Sequence, residues 1–255
     1  MPEKIDPATV KFTQPLQQTI TIMSKPIKVL SFDLDDTLWP CFPTISRAET
    51  LLYQWLSDHV PVITQRYDMY QLRAIRSDLF KRYPELATDL TKLRIRSFEL
   101  LAEEFELADD WIEPAFEVFY EARQQVILFD DVTPVLDELR KDYRLVSLTN
   151  GNADTVKTGV DHWFDFALNS ASVGKLKSEP DIYHEIQKLT DIEAPQMVHI
   201  GDDPLHDVSG AKAAGAYAIW LNRQQKQWPL ESCEPDAVIS NLYELPEIIS
   251  RLMQT

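Results

Sequence analysis

Cysteine is scarce in this chain. The two present, Cys41 and Cys233, lie far apart and fall in no CxxC or other metal-ligand spacing. That argues against a disulfide framework and fits a reducing compartment. No apolar run approaches the ~20 residues needed to span a bilayer, and the first residues lack a charged segment followed by a long apolar stretch. The sequence therefore predicts a soluble, cytoplasmic protein with no membrane partner. Basic residues are the minority: 25 Lys and Arg stand against 41 Asp and Glu, a formal net charge of −16. Such a field repels nucleic acid, anionic membrane surfaces and small phosphorylated molecules alike. A site for a phosphorylated ligand must then be built from local donors and a metal. P-loop, GxGxxG and GxSxG patterns are missing, and the five histidines form no HExxH. This removes the common nucleotide, dinucleotide, serine-hydrolase and zinc-protease signatures.

What is present is ordinary globular material. The 255 residues, 44% hydrophobic and 26% charged, suffice for one sizeable core, or one core with a smaller inserted domain. Residues 1–25 are polar, with Pro2, Pro7 and Pro15, and read as a tail; Met23 stands as a candidate internal start. Short apolar runs of strand length follow at Ile27–Phe32, Tyr143–Thr149, Gln196–Ile200 and Ala216–Leu221. They alternate with Gly-containing loops and helical patterns, such as Thr133-Pro134 ahead of Val135, Leu136 and Leu139. This pattern predicts an α/β fold: an open, mostly parallel, Rossmann-like sheet covered on both faces.

Residues 42–128 read differently. Helical periodicity gives four apolar stripes: Leu51, Leu52, Trp55 and Leu56; Met69, Leu72, Ile75 and Leu79; Ile95, Phe98, Leu101, Ala102 and Phe105; Trp111, Ile112, Ala115, Phe116 and Phe119. Ser46-x-x-Glu49 has the form of a capping box. An all-helical cap domain over 42–128, inserted into a core of 26–41 and 129–255, is the expected organisation.

Four stretches carry candidate chemistry. Asp33-Leu34-Asp35-Asp36-Thr37 sets three carboxylates directly after a buried strand, where their mutual repulsion calls for a divalent cation. A solvated acidic turn is the competing reading. In open α/β sheets, however, ligands bind beyond the carboxyl ends of the strands. Thr149-Asn150-Gly151-Asn152 ends the next core strand with donors suited to an anion, although Asn-Gly is first of all a turn former. Lys175 and Lys177 precede a proline-started helix and could meet a phosphate as point charges. Gly201-Asp202-Asp203-Pro204-Leu205-His206-Asp207 again ends a strand in carboxylates, and two acidic strand ends together read as a magnesium site. His199, inside that strand, reads as a core residue.

In this order, the four stretches resemble the motifs of the haloacid dehalogenase superfamily, over everything from about Ile27 to the end. Asp-x-Asp-x-Thr is that family's phosphatase form. The resemblance implies a magnesium-dependent phosphomonoester hydrolase for a small phosphorylated metabolite, working through an aspartyl phosphate on Asp33. By the same resemblance Asp35 is general acid and base and offers its backbone carbonyl to the metal. Thr149, Asn150 and Lys177 hold the phosphoryl group, Asp202 completes the Mg2+ shell, and Asp203 and Asp207 orient that shell or its loop. The third motif departs from the usual Lys-Pro: Lys177 is followed by Ser178, and Glu179-Pro180-x-Ile182-Tyr183 sets the register on Lys177.

Within the family, Pro84-Glu85, Leu93-Arg94-Ile95-Arg96-Ser97 and Thr149-Asn150-Gly151-Asn152 look like phosphatases acting on flavin mononucleotide and ribitylaminouracil phosphate. The helical wheel sets Arg94 beside the apolar stripe and turns Arg96 away. Trp39 and Phe42 are expected in a loop, where they either stack on a flat substrate or seat the cap. The rival enzyme is a sugar phosphomutase, which shares Asp-x-Asp. The rival from another class is a catalytically silent binding protein. No feature of the sequence sets an oligomeric state.

Overall fold

The computed structural model describes residues 25–254. The expected tail, apart from Lys25, and the candidate start at Met23 lie outside the described residues.

The sheet has six strands: β1 (Val29–Phe32), β2 (Arg144–Thr149), β3 (Phe166–Asn169), β4 (Met197–Gly201), β5 (Tyr217–Leu221) and β6 (Ala237–Ile239). Their order is β3-β2-β1-β4-β5-β6, and every pairing is parallel. Side chains alternate across the strands, so one apolar run feeds two cores. Leu30 and Phe32 of β1 join Val198, Ile200, Ile219 and Leu221 on one face. Val29 joins Val146, Leu148, Met197 and Ala218 on the other.

Helices α6 (Val132–Leu139) and α10 (Leu245–Leu252) cover the first face with Val135, Leu136, Leu139, Leu245 and Ile249. On the second face, α8 (Pro180–Thr190) contributes Ile182, Tyr183 and Ile186, and the short α9 (Gly210–Ala213) contributes Ala211. The one-turn α7 (Ser170–Val173) follows β3. A sheet clad on both faces is the architecture the alternating pattern predicted.

Between β1 and β2 the chain forms α1 (Cys41–His59), α2 (Pro61–Arg66), α3 (Met69–Arg82), α4 (Leu90–Glu104) and α5 (Ile112–Arg123). Ala48, Leu52 and Leu56 of α1 pack on Phe98 and Leu101 of α4 and on Ala115, Phe116 and Phe119 of α5. This third core is separate from the two flanking the sheet.

Several local expectations need correction. Ser46 and Glu49 cap nothing, because α1 begins at Cys41, where Asp36 Oδ1 accepts from the Cys41 N–H at 2.9 Å. Glu49 is instead buried in an ion-pair cluster with Arg76 and Arg94. A capping box forms at Asp68 and Gln71, ahead of α3. Thr133 lies inside α6, whose N-cap is Asp131, a residue whose side chain is bound to Arg223 and the Leu242 N–H rather than to its own helix. Trp39 is fully buried, so it cannot stack on a substrate, and Phe42 belongs to α1.

The chain runs from β1 to β2 and β3 on one side, then returns to β4, β5 and β6 on the other. The order thus reverses at the β1–β4 pair, and the crevice beyond those carboxyl ends is where open α/β sheets take ligands.

Candidate active site

Both acidic strand ends open into that crevice. Asp33 follows β1, its N–H donating to Ile200 O at 2.9 Å, and Asp202 follows β4. Ligand oxygens of Asp33, Asp202 and Asp207 lie within 4.8 Å of one another. Asp33 and Asp207 are buried, as is Lys177, whose ammonium donates to Asp33 Oδ1 and, at 2.5 Å, to Asp207 Oδ1.

Asp207 has no oxygen to spare. Its Oδ1 also meets His199 Nε2 at 3.1 Å, and its Oδ2 accepts from the Asp203 N–H at 2.9 Å. With Asp207 the acceptor, the proton sits on Nε2, and His199 Nδ1 accepts from Ser31 Oγ at 3.0 Å. Burial works against the charged form of Asp207, yet the Lys177 ammonium and His199 outweigh it and hold the carboxyl well below the usual range. Two glycines make this packing feasible. A Cβ on Gly201 would fall 2.3 Å from the Asp207 carboxylate, and one on Gly210 would fall 1.7 Å from the Lys177 carbonyl. Asp203 turns the chain here, its Oδ1 accepting from Leu205 N (2.9 Å) and His206 N (2.8 Å).

Asp33 and Asp202 carry the strain of crowding. Burial, only partly offset by Lys177, pushes Asp33 up to about 7; burial and the neighbouring Asp33 push Asp202 up to about 8. One ammonium shared between Asp33 and Asp207 leaves negative charge uncompensated. A largely buried, all-oxygen donor set short of positive charge fits a hard divalent cation such as magnesium.

Asp35 sits on the other side of the strand end. Its Oδ1 accepts from Trp39 Nε1 at 2.8 Å, and its Oδ2 from Arg123 Nη2 at 2.6 Å. Arg123 comes from the end of α5 and also donates from Nε to Asn152 Oδ1 at 3.1 Å. Gly151 permits the approach: a Cβ there would lie 3.0 Å from Asp35 Oδ2 and 3.2 Å from Arg123 Nη2.

Thr149 is buried, with Oγ1 accepting from the Gly151 N–H at 2.9 Å. Asn150 Oδ1 accepts from the Lys177 N–H at 2.9 Å, tying the lysine loop to the end of β2. Lys175 is half-exposed and paired with Glu179 at 2.8 Å. The two lysines are thereby separated: Lys177 meets Asp33, and Lys175 does not. Glu179 Oε2 also accepts from the Leu176 N–H at 2.9 Å, a restraint on the loop that lacks the proline after Lys177. Cys41 adjoins the site, but burial, with Asp35 and Asp36, pushes its thiol up to about 12, so it is no thiolate at neutral pH.

The sequence reading missed Arg123, which lies 88 residues from Asp35 along the chain and carries no local signal. It also missed the link from His199 to Asp207, since an isolated histidine in an apolar strand has the look of packing. Arg96 points away as expected, to Glu99, Glu103 and Tyr83.

Comparison with known proteins gives the family. A family model described as haloacid dehalogenase-like hydrolase matches residues 27–215. The 5-amino-6-(5-phospho-D-ribitylamino)uracil phosphatase YigB of Escherichia coli is 30% identical over 202 residues, 76% of this chain and 83% of the relative. A phosphoserine phosphatase of Thermus thermophilus is 29% identical over 60% of this chain and 63% of its own. Among solved structures, a 2-haloacid dehalogenase from Pseudomonas syringae superposes with a TM-score of 0.82 at 38% identity, covering 88% of this chain and 99% of that one. The chain is an enzyme that belongs to the haloacid dehalogenase-like hydrolases.

Proposed function

We propose that the chain hydrolyses phosphomonoesters of small metabolites, with Asp33 as the nucleophile. The observation that carries this reading is the pairing of a Lys177-bound Asp33 with a second carboxylate, Asp35, two residues on. A dehalogenase has no use for that second group, although the similarity to the Pseudomonas protein makes 2-haloacids a necessary control.

Asp33, Asp202 and the backbone carbonyl of Asp35 would hold magnesium, which supplies the charge neutralisation that lets a carboxylate approach a phosphate. Lys177 fixes one oxygen of Asp33 and leaves the other to attack phosphorus in line. The bond from phosphorus to the alcohol oxygen breaks as the aspartyl–phosphorus bond forms, and Asp35 protonates the departing alkoxide. For that step Asp35, carrying the proton regained from water in the preceding turnover, exchanges its Arg123 contact for the leaving oxygen. Asp35 then takes a proton from the water that attacks phosphorus, and Asp33 is released as carboxylate. Thr149, Asn150 and Lys177 bind the phosphoryl oxygens, while Asp203 and Asp207 hold the β4 loop and Lys177 in place. Helices α1–α5, together with the loops they meet, serve as a cap that selects the substrate.

For the substrate, the similarity to YigB supports 5-amino-6-(5-phospho-D-ribitylamino)uracil, and the resemblance of the cap and β2-end motifs adds flavin mononucleotide, both phosphomonoesters of the riboflavin pathway. The test is kcat/KM with magnesium across these compounds, phosphoglycolate, phosphoserine, hexose phosphates and a 2-haloacid. A preference of tenfold or more, ~1.4 kcal/mol in the transition state, is expected for a riboflavin-pathway ester. Turnover of the haloacid with none of any phosphomonoester would end the phosphatase reading.

The lysines give a second prediction. Lys177→Ala is expected to lower kcat by about 10²–10³, the effect of deleting one preorganised charge. Lys175→Ala should stay within about twofold, as a half-exposed pair is worth little. The reverse order would show that Ser178 shifts the motif and that Lys175, not Lys177, is the motif lysine.

A further inference from the structure

Positive charge is rare in this acidic chain, yet it gathers in one place. A cavity of about 260 Å³ between α1, α3, α4 and α5 is lined by Arg73, Arg76, Arg94 and Arg123, with Asp35 on its wall. Two carboxylates answer these four guanidinium groups. Asp35 pairs with Arg123, and Glu49 is shared between Arg76 and Arg94, the latter at 3.4 Å. Arg73 lies 6.0 Å from the centroid of the Phe42 ring.

Arg94 is the unusual member. It is 5% exposed, its guanidinium carbon lies 3.3 Å from the centroid of the Phe119 ring, and its Nη1, like that of Arg123, has no hydrogen-bond partner among the described residues. Arg123, however, is held by Asp35 and Asn152, whereas the Arg94 guanidinium has only the 3.4 Å contact with Glu49. Burial and the neighbouring Arg76 act against its charged form, and Glu49 offsets them only in part. A core gains nothing from a buried cation with an unmet donor. A ligand that brings oxygen acceptors would meet it, and the exposed ring of Phe80 gives the cavity an apolar wall that suits a flat group.

We infer that this cavity is a second recognition site, in which Arg94, supported by Arg73 and Arg76, binds a planar pair of oxygen acceptors at the non-phosphorylated end of the substrate. Resting on the phosphatase reading, it narrows the substrate class. The acceptors are either the conjugated carbonyls of a pyrimidinedione or a carboxylate, and a bare alkyl or aryl phosphate lacks both.

The experiment compares the full-length wild type with Arg94→Met, in magnesium, on ribitylaminouracil phosphate, phosphoserine and phenyl phosphate. In the wild type, one acceptor-bearing substrate should exceed phenyl phosphate in kcat/KM by at least tenfold, and which one wins identifies the acceptor. Arg94→Met should reduce that preference at least tenfold, chiefly through KM. Equilibrium binding of the dephosphorylated products tests the site without turnover: the favoured product should bind the wild type at least tenfold more tightly than the variant. Should Arg94→Met fail to fold, Arg73→Ala, at an exposed position, carries the same comparison. Parallel loss on all three substrates, or no preference in the wild type, overturns the inference. No hydrolysis of any phosphate ester by folded enzyme, with product binding intact, would instead overturn the phosphatase reading.

Discussion

The Asp33→Asn variant is expected to lose turnover by about three orders of magnitude or more, ~4 kcal/mol, while remaining folded. Asparagine is nearly isosteric with aspartate, so the packing beyond β1 should be undisturbed. The substitution removes one of the two carboxylates that burial and neighbouring carboxylates push up, Asp33 to about 7 and Asp202 to about 8. It leaves Lys177 its ion pair with Asp207. Thermal stability without added metal should therefore hold or rise as activity disappears. Retention of more than about a tenth of the wild-type rate in the folded variant would mean that no covalent bond forms at Asp33. A collapse of stability would assign Asp33 a structural role that the remaining Lys177–Asp207 pair gives no reason to expect.

Chelation is expected to have an effect of similar size. Exhaustive EDTA treatment should abolish hydrolysis, and magnesium or manganese should restore it, since the carboxylates at the ends of β1 and β4 offer oxygen alone. Lys177 is not a substitute for the cation, because it is divided between Asp33 and Asp207 and Asp202 receives no contact from it. Calcium should bind and support little turnover, as the larger ion accepts looser geometry at the reacting phosphorus. Full activity after chelation, verified by metal analysis, would rule out the shared site of Asp33 and Asp202.

The middle of the sheet was legible because its strands are continuous apolar runs buried on both faces. Expected and observed ends of β1, β2, β4 and β5 differ by two residues at most. The edges were not legible. β3 is half-exposed along most of its length, and β6 spans three residues with Val238 exposed, so neither shows a distinct run. Helix stripes located α1, α3, α4 and α5, but not the start of α1. There a backbone N–H finds the side chain of Asp36, whose φ of 59° turns the chain abruptly after β1. No sequence pattern marks that bend.

Asp33, Asp202, Thr149 and Asn150 could be singled out because strand ends point them to one edge of the sheet. Arg123 and Arg94 could not be placed at the site, since their partners, Asp35 and Glu49, lie 88 and 45 residues away. The charges of those partners have other readings in the sequence. Asp35 reads as a general acid and base among three clustered carboxylates, and Glu49 as half of a capping box. Long-range ion pairs become visible only when the helical segments are packed: Arg123 ties α5 to Asp35 beyond β1, and Arg94 ties α4 to Glu49 of α1.

The central claim is that Asp33 carries the phosphoryl group, and the direct measurement is rapid acid quenching during turnover, followed by peptide mapping by mass spectrometry. The account predicts one phosphoryl group on the peptide containing Asp33 in the wild type, and none on that peptide in Asp33→Asn. A phosphoryl group on another residue would contradict it. So would its complete absence under conditions where an accumulated intermediate is required by a measured burst of released alcohol.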